Sequence, residues 1–132
     1  QKIPEELTDK AETLLKFVGL HQKRKLRAGD LSFGQQKLLE LAMALMNEPK
    51  MLLLDEPTAG INPTLINGII DRLIKVNKKY GITLLVIEHN MKVIMNLAQK
   101  VFCLAHGQML ANGTPEEIKS DKRVLDAYLG AQ

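Results

Sequence analysis

Residues 51–58 read Met-Leu-Leu-Leu-Asp-Glu-Pro-Thr, an apolar run that ends on two adjacent carboxylates. Such a run, closed by a turn, is typical of a parallel strand that is covered on both faces. In open α/β sheets, ligands bind beyond the carboxyl ends of the strands. The stretch therefore predicts a buried strand that delivers Asp55 and Glu56 to the edge of a polar cleft.

A second apolar run, residues 82–87, ends in the same way on Glu88 and His89. Between the two runs a helix is predicted, because Pro63 suits a first helical turn and Gly81 suits a terminator. Strand, helix and strand in this order indicate parallel strands whose carboxyl ends lie at one edge of a sheet. The polar residues that follow both strands are therefore expected to share one cleft.

Helices are predicted on both sides of these strands from the spacing of apolar residues. Upstream, one helix spans residues 5–18 and another begins at Ser32. Downstream, the pattern predicts a helix over 91–98, a strand over 101–105, a hairpin through His106-Gly107, a cap at Thr114 and a helix over 121–129. The fold class is therefore α/β, with a mostly parallel sheet flanked by helices.

The composition is that of an ordinary globular domain and gives little support to a nucleic-acid interface. The chain has 132 residues and a formal net charge of +3, with no Trp, two Tyr and three Phe. The basic cluster at residues 23–27 is therefore more simply read as a solvated loop than as a nucleic-acid site. Cys103 is read as a buried thiol, and no apolar run has the length of a membrane span or a signal peptide.

Four polar positions carry candidate chemistry, and each also has a plainer structural interpretation. Asp55 follows a buried strand, where nucleotide-hydrolysing enzymes hold the magnesium ion that bridges phosphates, and Glu56 could polarise an attacking water. Ser32 begins a helix, where unpaired N–H groups attract anions, although alone it reads as an ordinary N-cap. His89 could donate to a terminal phosphate or could simply cap a strand end.

Taken together, these stretches resemble the ATP-binding-cassette (ABC) ATPases. Leu31-Ser32-Phe33-Gly34-Gln35 is similar to the ABC signature, usually Leu-Ser-Gly-Gly-Gln, and residues 51–57 resemble the Walker B strand with its glutamate. Residues 59–63 resemble the D-loop, and His89 falls where the switch histidine is expected. The four motifs occur in the family's order and at its spacing, and the resemblance covers essentially the whole chain.

The resemblance implies a mechanism in which two ATPase subunits, identical or different, enclose two ATP molecules. Asp55 would hold Mg²⁺, Glu56 would act as the general base, and His89 would contact the γ-phosphate. The remaining nucleotide contacts are expected from Ser32, Phe33, Gly34, Gln35 and Asn62. Asn62 replaces the usual D-loop aspartate, so it keeps hydrogen-bonding capacity but loses the negative charge, and Phe33 replaces a glycine.

The phosphate-binding Walker A loop, Gly-x-x-x-x-Gly-Lys-Ser/Thr, does not occur in these residues. Gly29 and Gly34 have the glycine spacing, but Gln35 and Gln36 follow where Lys and Ser or Thr are required. The family places that loop upstream, so residues 1–48 are expected to be the later part of the helical subdomain and residues 49–132 the later part of the ATPase core. The chain also begins with Gln1, which hints at a longer protein.

Within the family, three stretches resemble the ATPases of branched-chain amino acid importers. They are Ala59 to Pro63, Glu88 to Met91, and the ending from Val124 to Gly130. Lipopolysaccharide-export and urea-uptake ATPases are similar and stay open. An importer ATPase would bind transmembrane permease subunits at the cytoplasmic face of the membrane as a peripheral protein. It would serve a substrate-binding protein indirectly, and no nucleic acid is expected.

Two other interpretations remain at this point. ABC proteins of DNA repair or translation keep the same motifs, although the short gaps here leave no room for a coiled-coil insertion. Alternatively, the chain could be a non-catalytic module that lends its signature helix to an intact ATPase. The retained Glu56 and His89 argue mildly against that role.

Overall fold

The computed structural model describes residues 1–129, which divide into two compact units, Gln1–Ile87 and a second that begins at Glu88. The predicted boundary between residues 48 and 49 concerns subdomains of a larger fold and stays a prediction. Gly130, the last residue of the importer-like ending, lies outside the described residues.

The first unit contains α1 (Glu5–Phe17), α2 (Phe33–Leu45), β1 (Met51–Asp55), α3 (Pro63–Tyr80) and β2 (Thr83–Ile87). The second contains α4 (Met91–Leu97), β3 (Val101–Ala105), β4 (Gln108–Gly113), α5 (Pro115–Ser120) and α6 (Lys122–Leu129).

The predicted α/β class is confirmed, and β1 and β2 form a parallel pair in which Asp55 is opposite Ile87. The prediction that β1 is covered on both faces is wrong for residues 1–129. Leu52 is buried, but Leu53 on the opposite face is 72% exposed. β1 pairs only with β2 in the described chain, and its neighbouring residues differ in burial, so a continuous apolar run here does not mean two-sided burial.

Helix α3 begins and ends as its sequence predicts. Asn62 caps its first turn, Pro63 occupies the first helical position, and Gly81 ends it with a left-handed φ of 67°. The buried residues recur every three or four positions, so they form one apolar stripe. They are Ile66, Ile69, Ile70, Leu73 and Val76. This stripe supplies much of the core of the first unit, and Ile74, which the sequence placed in it, is only half-buried.

Helices α1 and α2 pack against each other in the first unit. Leu14 of α1 is buried, and Leu41, Ala42 and Leu45 line the buried face of α2. At the end of α2, Lys10 Nζ lies 2.7 Å from Glu48 Oε1, and this ion pair lowers the pKa of the Glu48 carboxyl. Two short 3₁₀ turns, His21–Lys23 and Ala28–Asp30, connect the helices, and the basic cluster runs from the end of the first turn to the residue before the second.

The second unit is built on an antiparallel hairpin of β3 and β4. A bulge after Cys103 shifts the register, and the buried residues behind the hairpin form a small core. That core consists of Cys103, Ala111, Ile118 and Val124. Thr114 caps α5 as predicted, because its hydroxyl accepts from Glu117 N at 3.2 Å. No helix within residues 1–129 is both long and apolar enough to cross a membrane.

The hairpin turn is expected to gain stability from a His106→Asn substitution. His106 and Gly107 have φ values of 49° and 74°, as in the type I′ turns that favour Asn-Gly. Asn adopts left-handed backbone more readily than His, so the free energy of unfolding should rise by about 0.5 kcal/mol. Denaturant titration measures this change. A β-branched His106→Val variant serves as the opposite control and should lose stability.

Candidate functional site

The two predicted catalytic-site carboxylates follow one another at the carboxyl end of β1. Asp55 is the last residue of the strand, and Glu56 N donates to Ile87 O at 2.8 Å, which extends the pairing with β2 by one bond. Both carboxylate side chains are exposed. The structure thus places Asp55 and Glu56 at a strand end that is open to a ligand, as the sequence predicts.

Glu56 has a left-handed backbone, with a φ of 47°. Residues other than Gly, Asn or Asp rarely adopt this conformation, and such strain is concentrated at functional sites. It turns the chain sharply out of the sheet into a tight segment. In that segment Ala59 N donates to Glu56 O at 3.0 Å, and Ile61 N donates to Thr58 O at 3.1 Å. These bonds define the turn from Glu56 to Asn62, here called the carboxylate turn.

The carboxylate turn ends at Asn62, whose side chain is engaged locally. Asn62 Oδ1 accepts from Thr64 N at 3.1 Å and from Thr64 Oγ1 at 3.0 Å. The side-chain oxygen therefore works as the cap of α3. The predicted nucleotide contact by Asn62 is not shown by this geometry and stays a prediction.

The signature segment forms the first turn of α2, and its polar side chains are paired within that turn. Ser32 Oγ accepts from Gln35 N at 3.3 Å, while Ser32 N donates to Gln35 Oε1 at 3.0 Å. This reciprocal capping box fixes the start of the helix. Ser32 is exposed, so its hydroxyl lies at the surface beside the positive end of the helix dipole, which is the geometry predicted for an anion contact.

Gly34 and Phe33 of the signature segment contact the start of α3 and the carboxylate turn. A Cβ added to Gly34 would lie 3.2 Å from Leu65 Cδ1, and one added to Gly60 would lie 3.2 Å from Phe33 Cε1. Gly34 is buried, so its small size suits the close packing of α2 on α3, a reason that differs from the predicted nucleotide contact. The structure thus brings the signature segment next to the turn that follows Glu56.

Arg72 is a charged group near the signature segment that the sequence did not single out. Together with Ser32, Gly34 and Gln35 it lines a cavity of about 280 Å³ between the starts of α2 and α3. Its Nη1 donates to Gly68 O at 3.1 Å, and its Nε is buried with no hydrogen-bond partner within residues 1–129. The sequence could have indicated Arg72, because it is a charged residue among the apolar residues of the α3 stripe.

His89 lies in the short loop between β2 and α4, at the start of the second unit. Its neighbours order this loop, because Glu88 Oε2 accepts from Asn90 N at 3.3 Å and Asn90 Oδ1 accepts from Lys92 N at 3.0 Å. The His89 side chain is exposed. Its grouping with Asp55 and Glu56 stays a prediction, since those residues belong to the first unit.

Two protein families match the sequence at its two ends. The ABC transporter family matches residues 2–59, which include the signature segment and the carboxylates. A family described as branched-chain amino acid ATP-binding cassette transporter matches residues 108–132. The motifs and the C-terminal segment therefore agree on one class of protein.

Curated relatives agree with these matches. A probable branched-chain amino acid transport ATP-binding protein LivG of Archaeoglobus fulgidus is 37% identical over 99% of this chain and 51% of its own length. The high-affinity LivG protein of Salmonella typhimurium is 38% identical over 95% of this chain and 49% of its own. The chain thus spans about half the length of the curated relatives it matches.

Solved structures share the fold. An ATP-binding cassette of an ABC transporter in its ADP conformation superposes with a TM-score of 0.88 at 36% identity, covering 98% of this chain and 52% of the other. A nucleotide-free cassette gives a TM-score of 0.85 at 39% identity, covering 95% of this chain and 51% of the other. Both comparisons extend through the two compact units described above.

Proposed function

Because this chain belongs to the ABC ATPases, we propose that it carries the hydrolytic half of an ATP-driven transport ATPase. In this proposal, sequence outside residues 1–132 supplies the Walker A loop, and the two parts together form the complete cassette. The observation that carries the proposal is the pair Asp55-Glu56 at the open end of β1, with the signature segment packed against the turn that follows. Such a strand end is where α/β folds bind ligands.

Glu56 is proposed as the general base of ATP hydrolysis. A carboxylate that accepts a proton from water lets the oxygen attack the γ-phosphorus as the bond to the β-γ bridging oxygen breaks, which yields ADP and phosphate. The left-handed backbone at Glu56 turns the chain out of the strand at this residue, and the residue is exposed. His89 is proposed to contact the γ-phosphate.

Asp55 is proposed to hold Mg²⁺ together with the nucleotide phosphates and water. Magnesium in nucleotide sites is bound through one or two carboxylates, keeps several waters and takes its other ligands from phosphate. Among residues 1–129, no group of three or more His, Cys, Asp or Glu side chains is placed to hold a metal ion. Asp55, a single carboxylate at a strand end, therefore suits a Mg²⁺ ion that would arrive bound to the nucleotide phosphates. The ion would neutralise charge on those phosphates.

The signature segment is proposed to act on the nucleotide of a second ATPase subunit. Ser32 lies exposed at the start of a 13-residue helix. An anion at such a position is stabilised by N–H groups and by the helix dipole. Two subunits would therefore enclose each ATP, and their closure would move transmembrane permease subunits.

Branched-chain amino acids are proposed as the transported substrates, delivered to the permease by a substrate-binding protein. The support is the C-terminal family match over residues 108–132 and the names of the curated relatives. The protein would then act as a peripheral subunit at the cytoplasmic face of the membrane.

The proposed division of labour predicts that residues 1–132 alone hydrolyse ATP at least about 100-fold more slowly than the complete cassette. The reason is that phosphate-binding donors each contribute about 100-fold or more to such reactions, and the Walker A donors are absent from this sequence. Phosphate release is measured for both proteins at saturating ATP and Mg²⁺.

An Asp55→Asn variant of the complete cassette controls for contaminating ATPases and should be inactive. Comparable turnover by residues 1–132 alone would contradict the division of labour. Absence of turnover from the complete cassette, with permease subunits supplied, would contradict the proposed function itself.

A further inference from the structure

The ring of Phe33 lies next to Gly60 in the same chain. A Cβ built on Gly60 would be 3.2 Å from Phe33 Cε1 and 3.9 Å from both Cδ1 and Cζ, so several ring atoms face this one residue. Gly60 has a φ of 71° and lies inside the carboxylate turn. Phe33 is the first residue of α2, directly after Ser32. The ring therefore bridges the signature segment and the turn between Glu56 and Asn62.

This contact is accompanied by a second one on the next residue. Gly34 packs against Leu65, and a Cβ there would also lie 3.9 Å from Ile61 Cδ1. Ile61 is buried and its N–H is bonded to Thr58 O, so the carboxylate turn is anchored internally. Two consecutive residues of the signature segment thus contact the turn at Gly60 and the start of α3 at Leu65.

We propose that Phe33 is a positioning residue that packs against the carboxylate turn and thereby holds Glu56 in the direction that hydrolysis requires. This inference rests on the proposed function, in which Glu56 acts on one nucleotide and Ser32 on another. A ring packed against a glycine restricts the positions that the turn can adopt, because the space beside the backbone is already filled. Phe33 then acts through Gly60 rather than through the nucleotide.

The position of the ring beside Gly60 supports this role. Phe33 is 52% exposed, with one side against Gly60 and Lys37 Nζ 5.4 Å from the ring centroid. Lys37 lies one helical turn after Phe33, and its ammonium shields part of the ring. Because Gly60 has no side chain, the ring can occupy the space beside it. With a glycine at position 33, the turn would lack this contact.

The test measures ATP hydrolysis by the complete cassette with Phe33→Ala and Phe33→Tyr. Loss of the ring should lower kcat by about 10-fold or more, since a displacement of about 1 Å in a reacting geometry can cost about 100-fold. The KM for ATP should change by less than about 3-fold, because the ring does not bind the nucleotide. Phe33→Tyr keeps the ring against Gly60 and should restore most of kcat.

A double-mutant cycle with Gly60→Ala identifies the partner of the ring. In the wild type, the added Cβ meets Phe33 Cε1 at 3.2 Å and also strains a left-handed backbone. In the Phe33→Ala background only the backbone strain remains, so the kcat penalty of Gly60→Ala should be at least about 3-fold smaller. Lys37→Gln, which removes the charge near the ring and leaves the Gly60 contact, is the matched control and should keep wild-type kcat.

Three results would overturn the inference. Multiplicative effects of Phe33→Ala and Gly60→Ala on kcat would show that the two positions are not coupled. A KM increase of about 10-fold with unchanged kcat would make Phe33 a nucleotide contact. Unchanged amide exchange at Ala59 and Ile61 in Phe33→Ala would show that the ring does not hold the turn. The exchange measurement needs no turnover, so it stays decisive even if the wild-type cassette is inactive and the proposed function fails.

Discussion

Replacing Glu56 by Gln in the complete cassette is expected to lower ATP turnover by about 100-fold or more while ATP binding is retained. Gln has the size of Glu and the same backbone demand at a φ of 47°, but it cannot accept a proton from water. General-base catalysis contributes about 100- to 10,000-fold, so the loss should fall in that range. Steady-state phosphate release and equilibrium binding of a nucleotide measure the two effects separately.

Glu48 offers a matched control, because it is also a glutamate with a left-handed φ, 49°, in a loop of the first unit. Glu48→Gln removes an exposed ion pair with Lys10, and Glu48 precedes the amino end of β1, whereas Glu56 follows its carboxyl end. Its turnover should stay close to that of the wild type. If Glu56→Gln kept most of its turnover while Glu48→Gln did the same, Glu56 would not be the general base.

The caps and helix limits could be predicted from sequence because local chemistry decides them. Ser32 and Asn62 accept from N–H groups two or three residues later. Gly81 adopts a left-handed conformation without a steric clash, because it has no Cβ. The same holds for the strand ends, where the apolar run stops at Asp55. These features depend on neighbours along the chain, and the structure confirms them.

The contacts across the site could not be predicted in this way, because they join residues that are distant along the chain. Gly34 alone suggests a close ligand approach, and only packing against Leu65 explains its burial. The ring of Phe33 on Gly60 depends on how α2 meets the carboxylate turn. The left-handed backbone at Glu56 was not foreseen either, since glutamate carries no propensity for it.

The burial of β1 was mispredicted for a different physical reason. An apolar run records which faces a strand buries in its functional protein, whereas the described residues bury Leu52 on one face of β1 only. The other face presents large apolar side chains to solvent, and it is called the open sheet face here. Its members are Met51, Leu53, Leu85 and Ile87, all about half-exposed or more. Such a face is explained if the rest of the cassette covers it. The chain spans only about half the length of its relatives, so there is further sequence in those relatives to do so.

A Leu53→Lys substitution on the open sheet face should therefore change the free energy of unfolding little in residues 1–132 alone and much more in the complete cassette. In residues 1–132 alone, Leu53 is 72% exposed, so the change should alter the free energy of unfolding by no more than about 0.5 kcal/mol and should improve solubility. In the complete cassette, a lysine buried without a partner should cost about 3 kcal/mol or more. Denaturant titration of both proteins measures the difference.

Leu26→Lys is the matched control, because Leu26 is 51% exposed in a loop that already carries Lys25 and Arg27. It should be nearly neutral in both contexts, since a lysine there stays in water. A small effect of Leu53→Lys in the complete cassette would mean that the open sheet face stays exposed to solvent. The missing phosphate loop would then have to reach Asp55 and Glu56 without packing on the strand that presents them, and the proposed assembly of the cassette would be wrong.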